Sequence, residues 1–397
     1  YNPDGSLNIS TTGATNFNSG NYNPLYIAQN DINRLNTTLL QGSIGAEYSI
    51  LKNLRFSSRF GIDFNLLEEY NFLNQFHGDG AGNGGIGIPI NSRFFNWIST
   101  NQFDYNTSFG KEDKFRLSAL VGYEAQKNKA YVVTQTSQGF PPNNTLYLSV
   151  NASTPTAATA TGSDYDIAGL YTSANISYNN RFVVSASFRR DGSSRFSENN
   201  RYGNFWSAGA AWNLDHESFI SDLPFITALK LRGSYGTTGN AAIGNYVWRP
   251  AVHFGTAIAS SLADGGANYA GQPGGVYDVL GNLNLTWEST DQGDVGLDAS
   301  FLKDRVSFTL DFYRRVSDKL LFNNPLSATT GFTSFVDNIG KIENKGYEIT
   351  VNGTPVKTKN FFWSLSFNLS HNKNTVLTLP EGKDIPVAGT QFRLSQG

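Results

Sequence analysis

The sequence contains few side chains whose type and spacing could support catalysis or hold a metal ion. It has no Cys, and its four His residues, His77, His216, His253 and His371, lie in separate segments without the spacing of a metal site. The Gly-rich run 77–85 faintly resembles a calcium or nucleotide loop, but it is a single copy without the required continuation. We therefore predict no catalytic residue, no metal site and no cofactor, and we predict that 77–85 is an exposed loop.

Aromatic side chains are better candidates for ligand binding, because flat rings stack on sugars and pack against peptides. They recur in the segment 237–290, which we predict to be the longest loop of the chain. Loops held by a rigid scaffold often carry binding residues. The candidate substrate-contacting residues are Tyr246, Trp248, Phe254, Tyr269 and Tyr277. The alternative is that these rings pack the loop itself or contact a partner protein that covers it.

We expect this loop to be held by β-strands, because the flanking sequence alternates apolar and polar residues. Apolar residues alternate with polar ones over 295–301, and the alternation resumes over 306–312. A period of two is typical of a β-strand with one apolar face. If Lys303-Asp304 forms a tight turn, Phe301 pairs with Val306 and every apolar residue of the first strand faces an apolar partner.

The same test finds further hairpins. Around the turn 179–181, Tyr178 pairs with Phe182, and a three-residue loop pairs Ile50 with Leu54. Weaker or longer pairs bring the total to about twelve strands of typical barrel length.

Short and long connections alternate between these strands. The short ones fall at 51–53, 110–114, 179–181, 214–228, 302–305 and 352–360. The long ones fall at 67–92, 126–163, 190–203, 237–290 and 315–337. This alternation predicts an all-β fold: a transmembrane antiparallel up-and-down β-barrel with short periplasmic turns and long extracellular loops.

A soluble sandwich or a lipocalin-like barrel is the alternative fold for alternating strands. About a dozen long strands in one up-and-down sheet would enclose an interior too wide to fill with apolar side chains. The polar face also carries charges, as a water-filled interior would. These charges are Arg59, Asp63, Asp298, Asp311 and Glu348. Both features favour the membrane barrel.

Composition agrees with this interpretation. The formal net charge is −2 and there is no long run of Lys or Arg, so we predict no nucleic-acid partner. No stretch approaches the ~18 consecutive apolar residues of a transmembrane helix. The lack of Cys suits a protein exported through an oxidising compartment.

Five segments together resemble the SusC/RagA family of TonB-dependent outer-membrane transporters of Bacteroidota. They are Ser187–Phe196, Asn200–Trp206, Leu229–Asn240, Asn282–Glu288 and Asn338–Glu348. They occur in family order at family-like spacing, and the resemblance covers nearly the whole chain.

The resemblance implies a protein longer than this chain, with an N-terminal plug inside a barrel of about 22 strands. Residues 1–397 are then expected to be a β-barrel domain fragment of about twelve strands, without the plug and without the last barrel strands. The family also carries a SusD-like lipoprotein as an extracellular lid.

The function that the resemblance implies is uptake across the cell outer membrane, not enzyme catalysis. The substrate would be a large nutrient such as an oligosaccharide or oligopeptide. The expected partners are the SusD-like lipoprotein, the TonB system through the missing N-terminal region, and outer-membrane lipid. The alternatives are a passive porin or structural barrel, an accessory subunit of a larger envelope complex, and a soluble β-type surface glycan-binding protein.

Overall fold

The chain is almost entirely β-structure. The computed structural model describes residues 2, 4–9, 22–141, 154–254, 268–269, 272–379, 384–386 and 393–396. The strands are β1 (Ile32–Leu51), β2 (Leu54–Leu73), β3 (Ile86–Phe109), β4 (Phe115–Gln138), β5 (Thr154–Tyr178), β6 (Phe182–Ser193), β7 (Tyr202–Asn213), β8 (Ile226–Asn240), β9 (Ala251–Phe254), β10 (Asn268–Tyr269), β11 (Gln272–Pro273), β12 (Gly275–Val279), β13 (Glu288–Phe301), β14 (Val306–Asp318), β15 (Leu321–Pro325), β16 (Ser334–Asn338), β17 (Lys341–Lys357), β18 (Phe362–Thr378), β19 (Ile385–Pro386) and β20 (Arg393–Leu394). The helical elements are two short α-helices, α1 (Pro24–Asn30) and α2 (Ser218–Ser221), and several three-residue 3-10 helices in the connections. No helix in these residues is long and apolar enough to cross a membrane.

Twelve strands form one up-and-down sheet. Their order is β1-β2-β3-β4-β5-β6-β7-β8-β13-β14-β17-β18, so each strand lies beside the sheet strand that precedes it in the chain. The remaining strands form two-stranded ribbons, β9 with β12, β10 with β11, β15 with β16, and β19 with β20. This order is the one that hairpins joined end to end produce.

The hairpin registers confirm the pairings that the apolar pattern predicts. Phe301 pairs with Val306 across the turn 302–305, and Tyr178 pairs with Phe182 across 179–181. Leu302, Lys303 and Asp304 all have positive φ, between 55° and 62°, which lets the chain reverse within the turn. β1 ends at Leu51 and β2 begins at Leu54. The pairing of Ile50 with Leu54 stays a prediction.

The strands extend farther toward the long connections than the alternation predicts. The long connections are 74–85, 139–153, 194–201, 241–287 and 319–340, and the predicted bounds were wrong by several residues at most ends. The short connections are 52–53, 110–114, 179–181, 214–225, 302–305 and 358–361. Near the long connections some strand residues pack into a core, as Tyr70 and Phe72 do at the end of β2, so the simple alternation stops before the strand does.

The two faces of the sheet differ in chemistry. One face exposes apolar side chains, including Val295 on β13, Phe312 on β14 and Phe367 on β18. The other face carries charged side chains that pair with one another, including Arg232 on β8 and Asp294 on β13. An exposed apolar face of this extent needs a non-aqueous neighbour.

The chain groups into two compact units. The first contains residues 1–44, 60–98 and 126–165, and its described core is formed by Tyr70, Phe72 and Phe140. The second contains residues 45–59, 99–125 and 166–397, and its fully buried apolar side chains are Phe196 and Leu285.

The Gly-rich run 77–85 lies in the first unit and is not simply an exposed loop. His77 is buried, and its Nε2 accepts a hydrogen bond from the Asn23 backbone N–H at 2.7 Å. A Cβ on Gly80 would lie 2.5 Å from the carbonyl oxygens of Leu73 and Asn74. The run therefore closes the β2–β3 connection against the segment before α1. No group of His, Cys, Asp or Glu in the described residues is arranged to hold a metal ion.

An ion pair joins two of the short connections. Arg181 Nε donates to Glu217 Oε1 at 2.9 Å, and Trp212 Nε1 donates to the same oxygen at 2.9 Å. The hydrogen bond from Arg181, followed by that from Trp212, lowers the pKa of Glu217 below its ordinary value of 4.5. The carboxylate therefore stabilises this connection above pH ~4.5, and the contribution is lost as pH falls through the lowered pKa.

We expect amide protection of residues 214–225 to decrease as the pH is lowered below ~4.5. Hydrogen exchange, corrected for the intrinsic pH dependence of exchange, measures this protection. Glu217→Gln should give low protection at every pH, whereas Glu112→Gln, in another short connection, should behave like the parent. An equal response of the parent and Glu217→Gln to pH would contradict the assignment.

Candidate functional site at the long-loop end

Three of the long connections pack into one cluster, which we call the loop platform and define as residues 194–201, 281–287 and 336–338. Phe196 and Leu285 are fully buried within it. The ring of Trp287 lies 5.5 Å from that of Phe196 and 5.4 Å from that of Phe205, between centroids. Burial of these rings holds the ends of separate connections together.

Hydrogen bonds to backbone carbonyls fix the first two segments of the platform to each other. Ser197 Oγ donates to the Leu283 carbonyl at 2.6 Å, and Asn200 Nδ2 donates to the same oxygen at 3.0 Å. Trp287 Nε1 donates to the Arg201 carbonyl at 2.9 Å. Carbonyls outside a sheet ladder need such partners when they are removed from water.

Asn338 joins the third segment. Its Oδ1 accepts from the Thr286 N–H at 2.7 Å, and its Nδ2 donates to the carbonyls of Thr286 and Lys319, both at 2.9 Å. Asn282 Nδ2 donates to the Val336 carbonyl at 3.0 Å. The motif segments of the sequence thus meet in space, and their contacts maintain loop geometry.

Two motif glycines make room for Phe205 beside the platform. A Cβ on Gly203 would lie 2.4 Å from the Phe205 ring, and a Cβ on Gly239 would lie 2.0 Å from it. Neither glycine has a positive φ, so close approach rather than a turn requires them.

A closed neck follows β8. A Cβ on Gly281 would lie 2.2 Å from the Pro250 nitrogen and 2.4 Å from the Arg249 carbonyl carbon, so the two ends of the segment 251–280 touch. We call this contact the loop neck. Arg195 contacts the residues between β8 and the neck. Its Nε donates to Asn245 Oδ1 at 2.9 Å, and its Nη1 donates to the Ala241 carbonyl at 3.1 Å.

Two of the five candidate substrate residues lie near the neck. Trp248 Nε1 donates to the Ser194 carbonyl at 3.3 Å, and the Arg249 guanidinium carbon lies 4.6 Å from the centroid of the Trp248 ring. Trp248 therefore packs the loop itself. Tyr246 is exposed and has a φ of 65°, which is uncommon for a residue with a side chain.

The other three candidates lie beyond the neck. Tyr277 on β12 pairs with Val252 on β9, and its side chain is 65% exposed. Phe254 pairs with Gly275, and Tyr269 pairs with Gln272, but the side chains of these two aromatics lie outside the described residues. Within the described part of the chain, the candidates do not form one cluster. Their contact with substrate stays a prediction.

The polar face carries a cation surrounded by three carboxylates. Arg232 reaches Asp294 Oδ1 with Nη1 at 3.1 Å, Asp298 Oδ2 with Nε at 3.1 Å, and Asp311 Oδ1 with Nη2 at 2.5 Å. Gly296 pairs with both Arg232 and Asp311, and a Cβ there would lie 2.5 Å from the guanidinium carbon. The missing side chain lets Arg232 cross β13 to reach β14. Asp298 and Asp311 were predicted on this face from the alternation, whereas Arg232 and Asp294 were not.

A second charged group lies on the same sheet. Arg189 Nε contacts Asp191 Oδ2 at 2.7 Å, and its Nη2 contacts Glu124 Oε1 at 3.1 Å. Tyr171 lies below the guanidinium, with 5.5 Å between the Arg189 guanidinium carbon and the ring centroid, and its hydroxyl donates to Gln102 Oε1 at 3.0 Å. Paired charges and amides of this kind suit a face that borders water.

An up-and-down sheet with an exposed apolar face, an ion-paired opposite face, and long connections that alternate with short ones is the wall of an outer-membrane β-barrel. The chain belongs to the protein family described as TonB dependent receptor-like, beta-barrel. The model of that family matches residues 1–395.

Individual relatives agree with this assignment. The chain is 32% identical over 389 residues to TonB-dependent receptor P3 of Formosa agariphila, covering 97% of this chain and 37% of that protein. It is 27% identical over 379 residues to TonB-dependent receptor SusC of Bacteroides thetaiotaomicron, covering 91% of this chain and 35% of that protein. The solved structure of the RagAB peptide transporter matches with a TM-score of 0.86 at 24% identity, covering 95% of this chain and 41% of that one.

The predicted resemblance to the SusC/RagA family, the barrel fold and the outer-membrane location are confirmed. The soluble sandwich is wrong, because the apolar face of the sheet is exposed instead of packed inside. The family is one of transport proteins and not of enzymes. The chain spans about a third of the length of the curated relatives that it matches.

Proposed function

We propose that this chain forms the wall and extracellular loops of a transporter that imports a nutrient too large for passive pores. An oligosaccharide or an oligopeptide is the proposed substrate class. The observation that carries the proposal is the match to the TonB-dependent receptor barrel over residues 1–395. In this proposal, the TonB system supplies energy through an N-terminal region, and a SusD-like lipoprotein covers the long-loop end.

The polar face supports an aqueous path along the wall. Arg232 contacts three carboxylates and Arg189 contacts two, so both groups are hydrated and each has more negative than positive charge. Such a face repels neither neutral sugars nor zwitterionic peptides.

The loop platform supports a lid. A partner that docks at the long-loop end needs a surface that keeps its shape between binding events. Buried Phe196 and Leu285 give the three connections a common core, so their exposed parts are held in fixed relation. Tyr246 and Tyr277, whose side chains are exposed, remain proposed contacts for substrate or lid, as do Trp248, Phe254 and Tyr269.

Deleting the host tonB gene should abolish uptake that depends on the full-length receptor. The measurement compares accumulation of fluorescent oligosaccharide and oligopeptide pools in receptor-positive and receptor-deleted cells, with and without tonB. A passive porin would transport equally well without tonB, which would contradict energised import. If the protein is an accessory subunit, neither pool will show receptor-dependent accumulation. That result would contradict the proposal that the receptor itself imports the substrate.

A further inference from the structure

Three cations lie directly opposite one another on the apolar face of the sheet. Arg314 on β14 pairs with Lys345 on β17, and Lys345 pairs with Lys373 on β18. Side chains alternate along a strand, so Arg314 shares the face of Phe312, Lys345 that of Tyr347, and Lys373 that of Leu369. We call Arg314, Lys345 and Lys373 the cationic row.

An aromatic row lies one step nearer the short turns. Phe312 pairs with Tyr347, and Tyr347 pairs with His371. The ring centroids are 6.4 Å apart in the first pair and 5.5 Å apart in the second. Aromatic rings followed by cations mark the border between the hydrocarbon and the headgroups of a membrane.

The cationic row is unfavourable in the isolated protein. Like charges directly opposite on neighbouring strands destabilise a sheet. Glu343 offsets part of the repulsion, because its carboxylate contacts Arg314 Nε at 2.7 Å and Lys345 Nζ at 3.2 Å. Lys373 has no ion pair within the described residues.

The surrounding charges do not cancel the positive charge of the cationic row. Toward the long connections, Lys341 Nζ pairs with Asp318 Oδ2 at 3.0 Å, which is neutral as a pair. Asp291, opposite Val316, adds one further carboxylate on this face. Even with Asp291 included, the cations outnumber the carboxylates around the row, so the row keeps a positive charge.

A groove connects the two rows. Gly293, Val295, Phe312 and Tyr347 contribute to its lining, together with the three cations. Arg314 and Lys345 have side chains that are 64% and 53% exposed, so their charged ends are available at the rim. An apolar channel that ends in cations fits an amphipathic anion better than a free ion.

The position of the cationic row along the strands indicates where that anion comes from. On β18, the exposed side chains Leu365, Phe367 and Leu369 lead from the short-turn end to His371 and then Lys373. In outer-membrane barrels the long connections are extracellular, so the cationic row lies at the headgroups of the outer leaflet. That leaflet presents glycolipids whose headgroups carry phosphates.

We propose that the cationic row binds a phosphate of an outer-leaflet glycolipid, with an acyl chain of the same lipid lying along the groove over Phe312 and Tyr347. Phosphate oxygens accept charge-assisted hydrogen bonds from Arg and Lys, which replaces repulsion across the row with attraction. The proposal depends on the membrane location of the barrel and not on what it transports.

The test uses the purified full-length receptor in detergent and a phosphorylated glycolipid extracted from the host outer membrane. Replacing Arg314, Lys345 and Lys373 together with Gln should weaken binding by on the order of a hundredfold. The matched control replaces Lys303, Arg305 and Lys359 with Gln, which removes the same charge at the short-turn end and should leave binding unchanged. Native mass spectrometry counts the bound lipid.

A second variant, with a single substitution, separates loss of lipid binding from misfolding of the receptor. Lys373→Gln breaks no ion pair in the described residues and should weaken binding about fivefold. The proposal fails if the two triple variants bind alike, if phosphatase-treated glycolipid binds as well as the intact lipid, or if inorganic phosphate displaces the lipid at equal concentration.

Discussion

Replacing Arg232 with Met should destabilise the folded barrel by about 2 kcal/mol. Removing one partner of a buried ion pair costs about 3–5 kcal/mol, and the partial exposure of this cluster reduces that figure. The substitution leaves Asp294, Asp298 and Asp311 facing one another without their shared cation. The midpoint of urea unfolding of the full-length receptor, followed by heat-modifiable migration on gels, measures the change.

Lys230→Met is the matched control, because Lys230 lies on the same face of β8 two positions away and has no ion pair in the described residues. It should change the midpoint little. Adding Asp298→Asn and Asp311→Asn to Arg232→Met should recover much of the loss, because the remaining carboxylate then has no like-charged neighbour. If Arg232→Met and Lys230→Met shift the midpoint equally, the cluster contributes no specific stability.

Leu285→Ala should loosen the loop platform while leaving the barrel folded. Leu285 is fully buried at 0% exposure, and truncating such a side chain costs about 2–5 kcal/mol. The cost falls on contacts between loops rather than on the strand ladder. We therefore expect faster protease cleavage within 241–287 and an unchanged heat-modifiable shift.

Leu283→Ala provides a control of the same residue type two positions away. Its side chain is 60% exposed, so its truncation should change stability by less than about 0.5 kcal/mol. Its backbone carbonyl still accepts from Ser197 and Asn200. Equal cleavage rates for the two variants would show that the platform has no packed core.

The wall was predictable because the membrane imposes a simple rule on each strand. Lipid on one face and water on the other force an alternation, and a tight turn then determines the register. That is why the pairings of Phe301 with Val306 and of Tyr178 with Phe182 follow from the sequence alone. Beyond the apolar band this rule no longer holds, so the bounds of the long connections could not be read from alternation.

The contacts between loops were not predictable, because no periodic rule links residues that are far apart in the chain. Asn338 bonds to Thr286, and Arg181 bonds to Glu217, across strands that the sequence does not show to be close. The motif residues could be recognised in the sequence, but their contacts with one another in the loop platform could not be predicted. The contact of Trp248 with the Ser194 carbonyl was not predictable either, because exposed and packed aromatics look alike in a sequence.

The loop neck brings the two ends of the segment 251–280 together at one place on the protein. Gly281 against Arg249 and Pro250 closes its two ends together, so whatever lies between them begins and ends at one point on the scaffold. The entropy of closing such a loop rises only slowly with its length, by about 0.6 kcal/mol for each doubling. We therefore expect the segment 251–280 to tolerate changes in length while the strands and the platform keep their structure.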